Sequence, residues 1–133
     1  MAPDPVRAAL YGCLAADATL EALLSKPEAI FEEKAPQGTE PPYVIFQRQA
    51  GTDQWTFGPS NERAIWLVKG VCRGGTSTSA EEIDARSREL LHRTQLAVPG
   101  GILTILRESP VSYGEASDGD EWRHRGGLYR IFT

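Results

Sequence analysis

The sequence predicts an α+β fold: a mainly antiparallel sheet of four to five strands with two or three helices packed on one face. Three observations predict it. An apolar stripe with helical spacing opens the chain, and a second amphipathic stretch begins near residue 79. Between and after them lie runs whose side chains alternate with period two. The order is helix, strands, helix, strands. The 133 residues suit one domain spanning 1–133.

Residues 5–25 read as helix. Val6, Ala9, Leu10, Cys13 and Leu14 mark one buried face at helical spacing. Asp4 is placed as N-cap, with Pro5 at the first helical position. Asp17 restarts a short helix in which Leu20, Leu23 and Leu24 form the apolar side, and Lys26-Pro27 ends it. Residues 27–42 read as an ordered loop with a short extended piece at Ala29 to Phe31.

A strand follows at 43–49. Apolar residues occupy both its sides near the start, as in a strand covered on both faces. Pro41-Pro42 fixes the backbone ahead of it and donates no hydrogen bonds, so the pair either sets the register of this strand or simply shapes the loop. Gln54 to Phe57 is extended, and Gly58-Pro59-Ser60-Asn61 has turn composition. The long run from Glu62 to Cys72 alternates Ala64, Trp66, Val68 and Gly70 with Ile65, Leu67 and Lys69.

Ser79-Ala80-Glu81-Glu82 reads as a capping box opening a helix that runs to about Gln95. Ile83, Ser87, Leu90, Leu91 and Thr94 form its inner stripe; Glu82, Arg86, Glu89 and Arg93 form a solvated, charge-laced face. Residues 102–109 predict a strand, and "YGEASDGDEWRHRG" at 113–126 a polar loop within which Trp122 starts the last strand. "GGLYRIFT" closes the chain as a strand, Leu128, Arg130 and Phe132 alternating with Tyr129 and Ile131.

Composition narrows the classes of function. Hydrophobic residues make up 41% of the chain and charged residues 24%, enough for a core and an ordinary soluble surface. The formal net charge of -4 argues against a dedicated nucleic-acid binder, whose domains carry a basic excess. No apolar run reaches the length of a membrane span, and "MAPDPVRAAL" lacks the basic start and apolar core of a signal peptide, which predicts a cytoplasmic protein. Cys13 and Cys72 read as buried reduced thiols, and two cysteines and two histidines far apart give no zinc motif.

No catalytic constellation emerges. "GTSTSAEE" has no lysine at phosphate-loop spacing, and there is no G-x-S-x-G elbow. His92 reads as a surface residue and His124, between two arginines, as a poor metal ligand. Asp118, Asp120 and Glu121 match a calcium loop only faintly. The expectation is therefore no enzyme, no cofactor and no metal. Arg123, Arg125 and Arg130 form the one basic cluster, beside Trp122. It suits a DNA backbone, the acidic residues just before it, or a neighbouring subunit. Trp55 and Phe57 on the first hairpin, with Tyr113, Trp122, Arg123 and Arg125, are the candidates for a subunit or partner interface.

The helix "RAALYGCLAADATLEALL", the "APQGTEPPYVIFQR" approach to a strand, the amphipathic helix near residue 80 and the closing "GLYRIF" together resemble the tail-completion, or tail-terminator, proteins of long-tailed bacteriophages. Related proteins occur in prophages and gene transfer agents. The resemblance covers nearly the whole chain. It implies an α+β subunit of a hexameric ring at the head-proximal end of the tail tube, in the neck of the virion. Such a ring ends polymerisation of the tube protein and offers a surface to the head-tail connector or stopper. DNA passes through its lumen only in transit, no membrane is involved, and assembly takes place in the host cytoplasm. Two rival readings are another neck, tube or head-completion component, and a small enzyme or ligand-binding domain using Cys13 or Cys72 with His92 or His124.

Overall fold

The computed structural model describes residues 5–53, 62–99, 101–117 and 119–132. The elements run α1 (Pro5–Ala15), α2 (Ala18–Leu23), β1 (Ile30–Glu32), β2 (Tyr43–Asp53), β3 (Glu62–Arg73), α3 (Thr78–Leu91), β4 (Thr94–Val98), β5 (Gly101–Ser117) and β6 (Asp120–Phe132). The expected Asp4 cap and the turn at 58–61 lie outside the described residues. All six strands form one sheet in the order β1-β2-β3-β6-β5-β4. Five strands pair antiparallel; β1 joins β2 in parallel. The sheet thus has six strands where the sequence predicts four or five.

Asp17 restarts the helix as expected. Its carboxylate accepts the Leu20 N–H at 2.8 Å, satisfying one of the free donors at the start of α2. The same carboxylate takes two hydrogen bonds from Arg86 of α3, at 2.7 and 2.8 Å. One acid therefore caps α2 and ties it to α3.

The ladder registers divide the sheet into two faces. Phe46 pairs Val68, Trp66 pairs Tyr129 and Ile105 pairs Ile131, and all six are buried. This face packs in one cluster with Leu10 and Leu14 of α1, Leu20 of α2, and Ile83 and Leu91 of α3. Each such side chain, taken fully from water, contributes about 1.5–3 kcal/mol. Gly70 lets α3 approach: a Cβ there would lie 2.7 Å from the Ile83 Cβ. The opposite face of β2 and β3 is covered too, with Ile45, Leu67 and Val71 buried. β2 begins at Tyr43, directly after the cis Pro41-Pro42 bond, and the Pro42 carbonyl accepts the Ser25 N–H at 2.9 Å.

Three expectations are corrected. The cap of α3 is Ser77, not Ser79, and its hydroxyl donates to the Glu81 carboxylate at 2.9 Å rather than to the backbone. The helix stops at Leu91, not near Gln95. The Thr94 hydroxyl takes the Leu90 carbonyl at 2.7 Å, the acceptor a continued helix would need, and Arg93 turns left-handed at φ 62. The following TQLAV is then free to become β4. Finally, 113–117 and 120–126 are not a loop. They are the far halves of β5 and β6, paired from Ser117↔Asp120 inward. Cross-strand pairing overrides a composition that reads as polar connection.

Candidate assembly surface

Two parts of the chain are candidates for an assembly contact: the β5–β6 hairpin and the two outer edges of the sheet. The hairpin gathers four of the six predicted interface residues. Tyr113 pairs His124 across the ladder, and Glu115 pairs Trp122. The ladder continues to Val71 and Arg73 of β3, so these side chains share the face away from α1–α3. Tyr113 stacks on the His124 ring, centroids 4.3 Å apart and planes within 8°. The Lys69 ammonium lies 5.0 Å from the Tyr113 centroid and bonds its hydroxyl. The Glu115 carboxylate holds His124 Nε2 at 2.7 Å. Trp122 carries the Arg73 guanidinium 5.6 Å above its ring.

The surroundings of His124 disfavour its charged form. Burial pushes its pKa below the ordinary histidine value, and the Lys69 charge pushes the same way; the Glu115 contact opposes both. Tyr43, on the same face, is pushed up by burial and then by Glu115. His124 thus departs from its expected place on a polar loop: it is a buried strand residue. His92 is also no free surface group. It is half-buried at the end of α3, where Nδ1 accepts the Arg107 N–H at 3.0 Å.

Arg123 and Arg125 turn to the other side of the hairpin. Arg123 bonds Glu121 at 2.8 Å and the Gly74 carbonyl at 3.4 Å. Arg125 bonds the carbonyls of His124 and Tyr113 and lies 4.0 Å from Glu81 of α3. Arg130 sits apart and pairs with Glu108. The expected three-arginine cluster is therefore dispersed, and Arg123 does pair with the acidic residue before it. Trp55 and Phe57 lie outside the described residues.

Arg107 fixes the hairpin to the body. Its guanidinium takes both oxygens of Asp84 on α3, at 2.7 and 3.1 Å, and donates to the Gly126 carbonyl at 3.0 Å and the Tyr129 hydroxyl at 3.3 Å. Sequence reading missed this residue, as it missed Lys69 and Glu115. The signal for the last was present: Tyr113, Glu115, Trp122 and His124 keep a period of two inside the stretch read as loop.

The edges are only partly covered. β1 pairs β2 from Val44 to Phe46, and the register shifts between Arg48 and Ala50 just beyond. β4 pairs β5 from Gly101 to Ile105, and the register shifts between Arg107 and Ser109 just beyond. Past each bulge the outer edge runs on without a neighbouring strand among the described residues. A groove of about 390 Å³ lies beside β1, lined by Arg7, Tyr11, Ile30, Phe31 and Phe46 among others. Among the described residues no group of His, Cys, Asp and Glu could hold a metal ion, and no helix is long and apolar enough to cross a membrane. Both cysteines are free thiols, Cys72 buried and Cys13 half-buried; burial pushes the Cys13 thiol up, away from reactivity.

Comparison with known proteins gives one family and two similar folds. A family model described as "Tail completion protein gp17" matches residues 8–128. A chain from a solved "Virion of native gene transfer agent (GTA) particle" has a similar fold, with TM-score 0.79 and 17% identity over 97% of this chain and 96% of that one. A second solved chain is similar at TM-score 0.59 and 17% identity, over 98% of this chain and 96% of its own. No curated protein sequence matches.

Proposed function

The chain belongs to the tail completion protein gp17 family, and from that premise we propose that it is a structural subunit of the ring that terminates a phage-type tail. In this reading six copies close a collar on the head-proximal end of the tail tube. The collar ends tube polymerisation and presents its other side to the head-tail connector. It acts by shape, with no turnover of a substrate and no cofactor. DNA passes through the lumen in transit, and the acidic balance of the chain favours passage without retention.

The observation that carries the reading is the family match over 8–128, supported by the two uncovered sheet edges on opposite sides of the subunit. A ring needs a heterologous contact, with two different surfaces on each copy. Tyr113, Trp122, Arg123 and Arg125 are the hairpin residues offered to neighbours, together with Trp55 and Phe57. The proline pair before Tyr43 sets where β2 begins and so where its outer edge is presented. If Pro41→Ala/Pro42→Ala leaves ring assembly and stability unchanged, the prolines merely shape the loop.

Electron microscopy of particles made without this chain tests the function. Overlong or headless tails are the expected phenotype. Tails of normal length carrying heads without genome retention would instead make it a head-completion or other neck component.

A further inference from the structure

We propose that neighbouring copies join by adding strand to strand: the outer edge of β5, Ser109–Ser117, pairs antiparallel with the outer edge of β2, Gln47–Asp53, of the next copy. This rests on the ring reading and names the surface that closes it.

Backbone direction comes first. Val44 donates its N–H to the Ala29 carbonyl, and the Phe46 carbonyl accepts from Glu33, so alternate residues of β2 point their backbone groups outward. Arg48 is the next in that series and lies beyond the end of β1. On the other side, Pro110 sits in an unbroken stretch of the β5–β6 ladder, opposite Gly127. Proline has no N–H, so a ladder accepts it where that position faces the outer edge. Ser112 and Gly114, two and four residues on, share its orientation and present N–H groups outward. Among the described residues, each edge therefore carries a row of backbone donors and acceptors with no neighbouring strand.

The two rows match in direction. β2, β3, β6 and β5 pair antiparallel in succession, so β2 and β5 run in opposite senses within one copy. Copies set side by side in the same orientation therefore bring the two edges together antiparallel. Arg48 is exposed and has no ion-pair partner among the described residues. With Ala50 opposite Tyr113 and the bulge residue Gln49 left over, antiparallel pairing brings Arg48 level with Gly114, both on the helix side of the sheet. Tyr113, one of the few large apolar side chains left exposed, then lies in the joint.

The rows are offset within a copy. Ala50 lies level, through Ile65 and Arg130, with Leu106, whereas the open part of β5 is centred on Tyr113. The next copy must slide by roughly seven residues, about 23 Å at ~3.3 Å per residue. A ring absorbs such a slide by inclining its strands to the ring axis, as closed barrels do.

Disulfide scanning in assembled particles tests the contact. Gln49→Cys is combined in one chain with Val111→Cys, Ser112→Cys or Gly114→Cys, and the particles are oxidised. The expected result is a ladder of linked copies extending past the dimer for at least one pair, absent for each single variant. Links from Gln49→Cys alone would make the contact isologous, and a link to another virion protein would give the edge to a different partner; either overturns the proposal. So does the absence of any link in intact particles. Ser112→Pro gives a second measure: incorporation into particles is expected to be lost while the unfolding midpoint of the purified chain is unchanged. Wild-type incorporation refutes edge pairing. Overlong tails without the chain, combined with no ladder, would leave the terminator reading standing and remove only this joint.

Discussion

Breaking the Arg107–Asp84 pair is expected to cost far more than its two charges suggest. The Arg107 side chain is 10% exposed and Asp84 21%. Arg107→Met leaves the Asp84 carboxylate, mostly out of water, without its bidentate partner, and strips a donor from the Gly126 carbonyl and the Tyr129 hydroxyl. Removing one partner of a buried pair costs about 3–5 kcal/mol. Asp84 keeps a fifth of its surface, so the lower end applies, about 3 kcal/mol. For a chain of this size that lowers Tm by about 10 °C. Asp84→Leu strands the guanidinium instead and costs a similar amount. The double variant Arg107→Met/Asp84→Leu removes both charges and should lose much less than the two singles together, a coupling of about 2–3 kcal/mol. Urea unfolding followed by circular dichroism completes the cycle. Arg7 and Glu32 supply the control: with side chains 44% and 34% exposed, Arg7→Ala should cost under about 1 kcal/mol. Additive losses at Arg107 and Asp84, or a loss as small as the control, would refute the view that this pair anchors the hairpin to α3.

Gly70→Ala puts a Cβ 2.7 Å from the Ile83 Cβ and 3.0 Å from the Ala80 carbonyl, so α3 must move; a loss of about 1–3 kcal/mol in urea unfolding is expected, and a neutral result would mean the helix shifts freely. The Asp17 carboxyl is held below the usual carboxylate range, first by its hydrogen bonds from Arg86. A depressed folded-state pKa contributes stability that is present above the unfolded value, near 3.9, and disappears as pH falls through the folded value. Thermal unfolding below pH 4 should therefore decline more steeply for wild type than for Asp17→Asn, which keeps a capping side chain and cannot titrate. Equal slopes would remove Asp17 from the acid response. His124, also depressed, should make the protein lose stability as pH drops below about 6.5. His124→Gln should flatten the wild-type decline in Tm between pH 7 and pH 5, and a wild-type Tm with no slope there would show that the ring charges without penalty.

What the sequence displayed most clearly was local. Leu10 and Leu14 keep helical spacing and both are fully buried; Asp17 stands where a cap belongs and serves as one. The alternation of Ala64, Trp66 and Val68 survives as a single buried face of β3. What it hid was long-range. β4 exists because Thr94 spends its hydroxyl on the preceding helix and because β5 is there to pair with; neither fact is visible in "TQLAV". The outer half of the β5–β6 hairpin is written in serine, glycine, aspartate and glutamate, residues that read as turn until a partner strand fixes them. Of the candidate surface, Tyr113, Trp122, Arg123 and Arg125 were found by residue type, whereas the anchoring role of Arg107 depends on Asp84, 23 residues earlier.

β1 and β4, three and five residues long, have a meaning beyond completing the sheet. Each occupies one end of its neighbour's rim and leaves the other end bare, on opposite ends of the subunit. In the proposed ring, an incoming strand gliding along β2 would be halted where Glu32 and Glu33 begin, and one gliding along β5 at Thr94. In the proposed joint these stubs would work as end stops in a mortise. Each would leave an open notch on its flank, stopped at one end, against which a neighbouring copy in the proposed ring would seat. In the proposed ring a subunit shorn of either stub would keep its open rim and lose its stop.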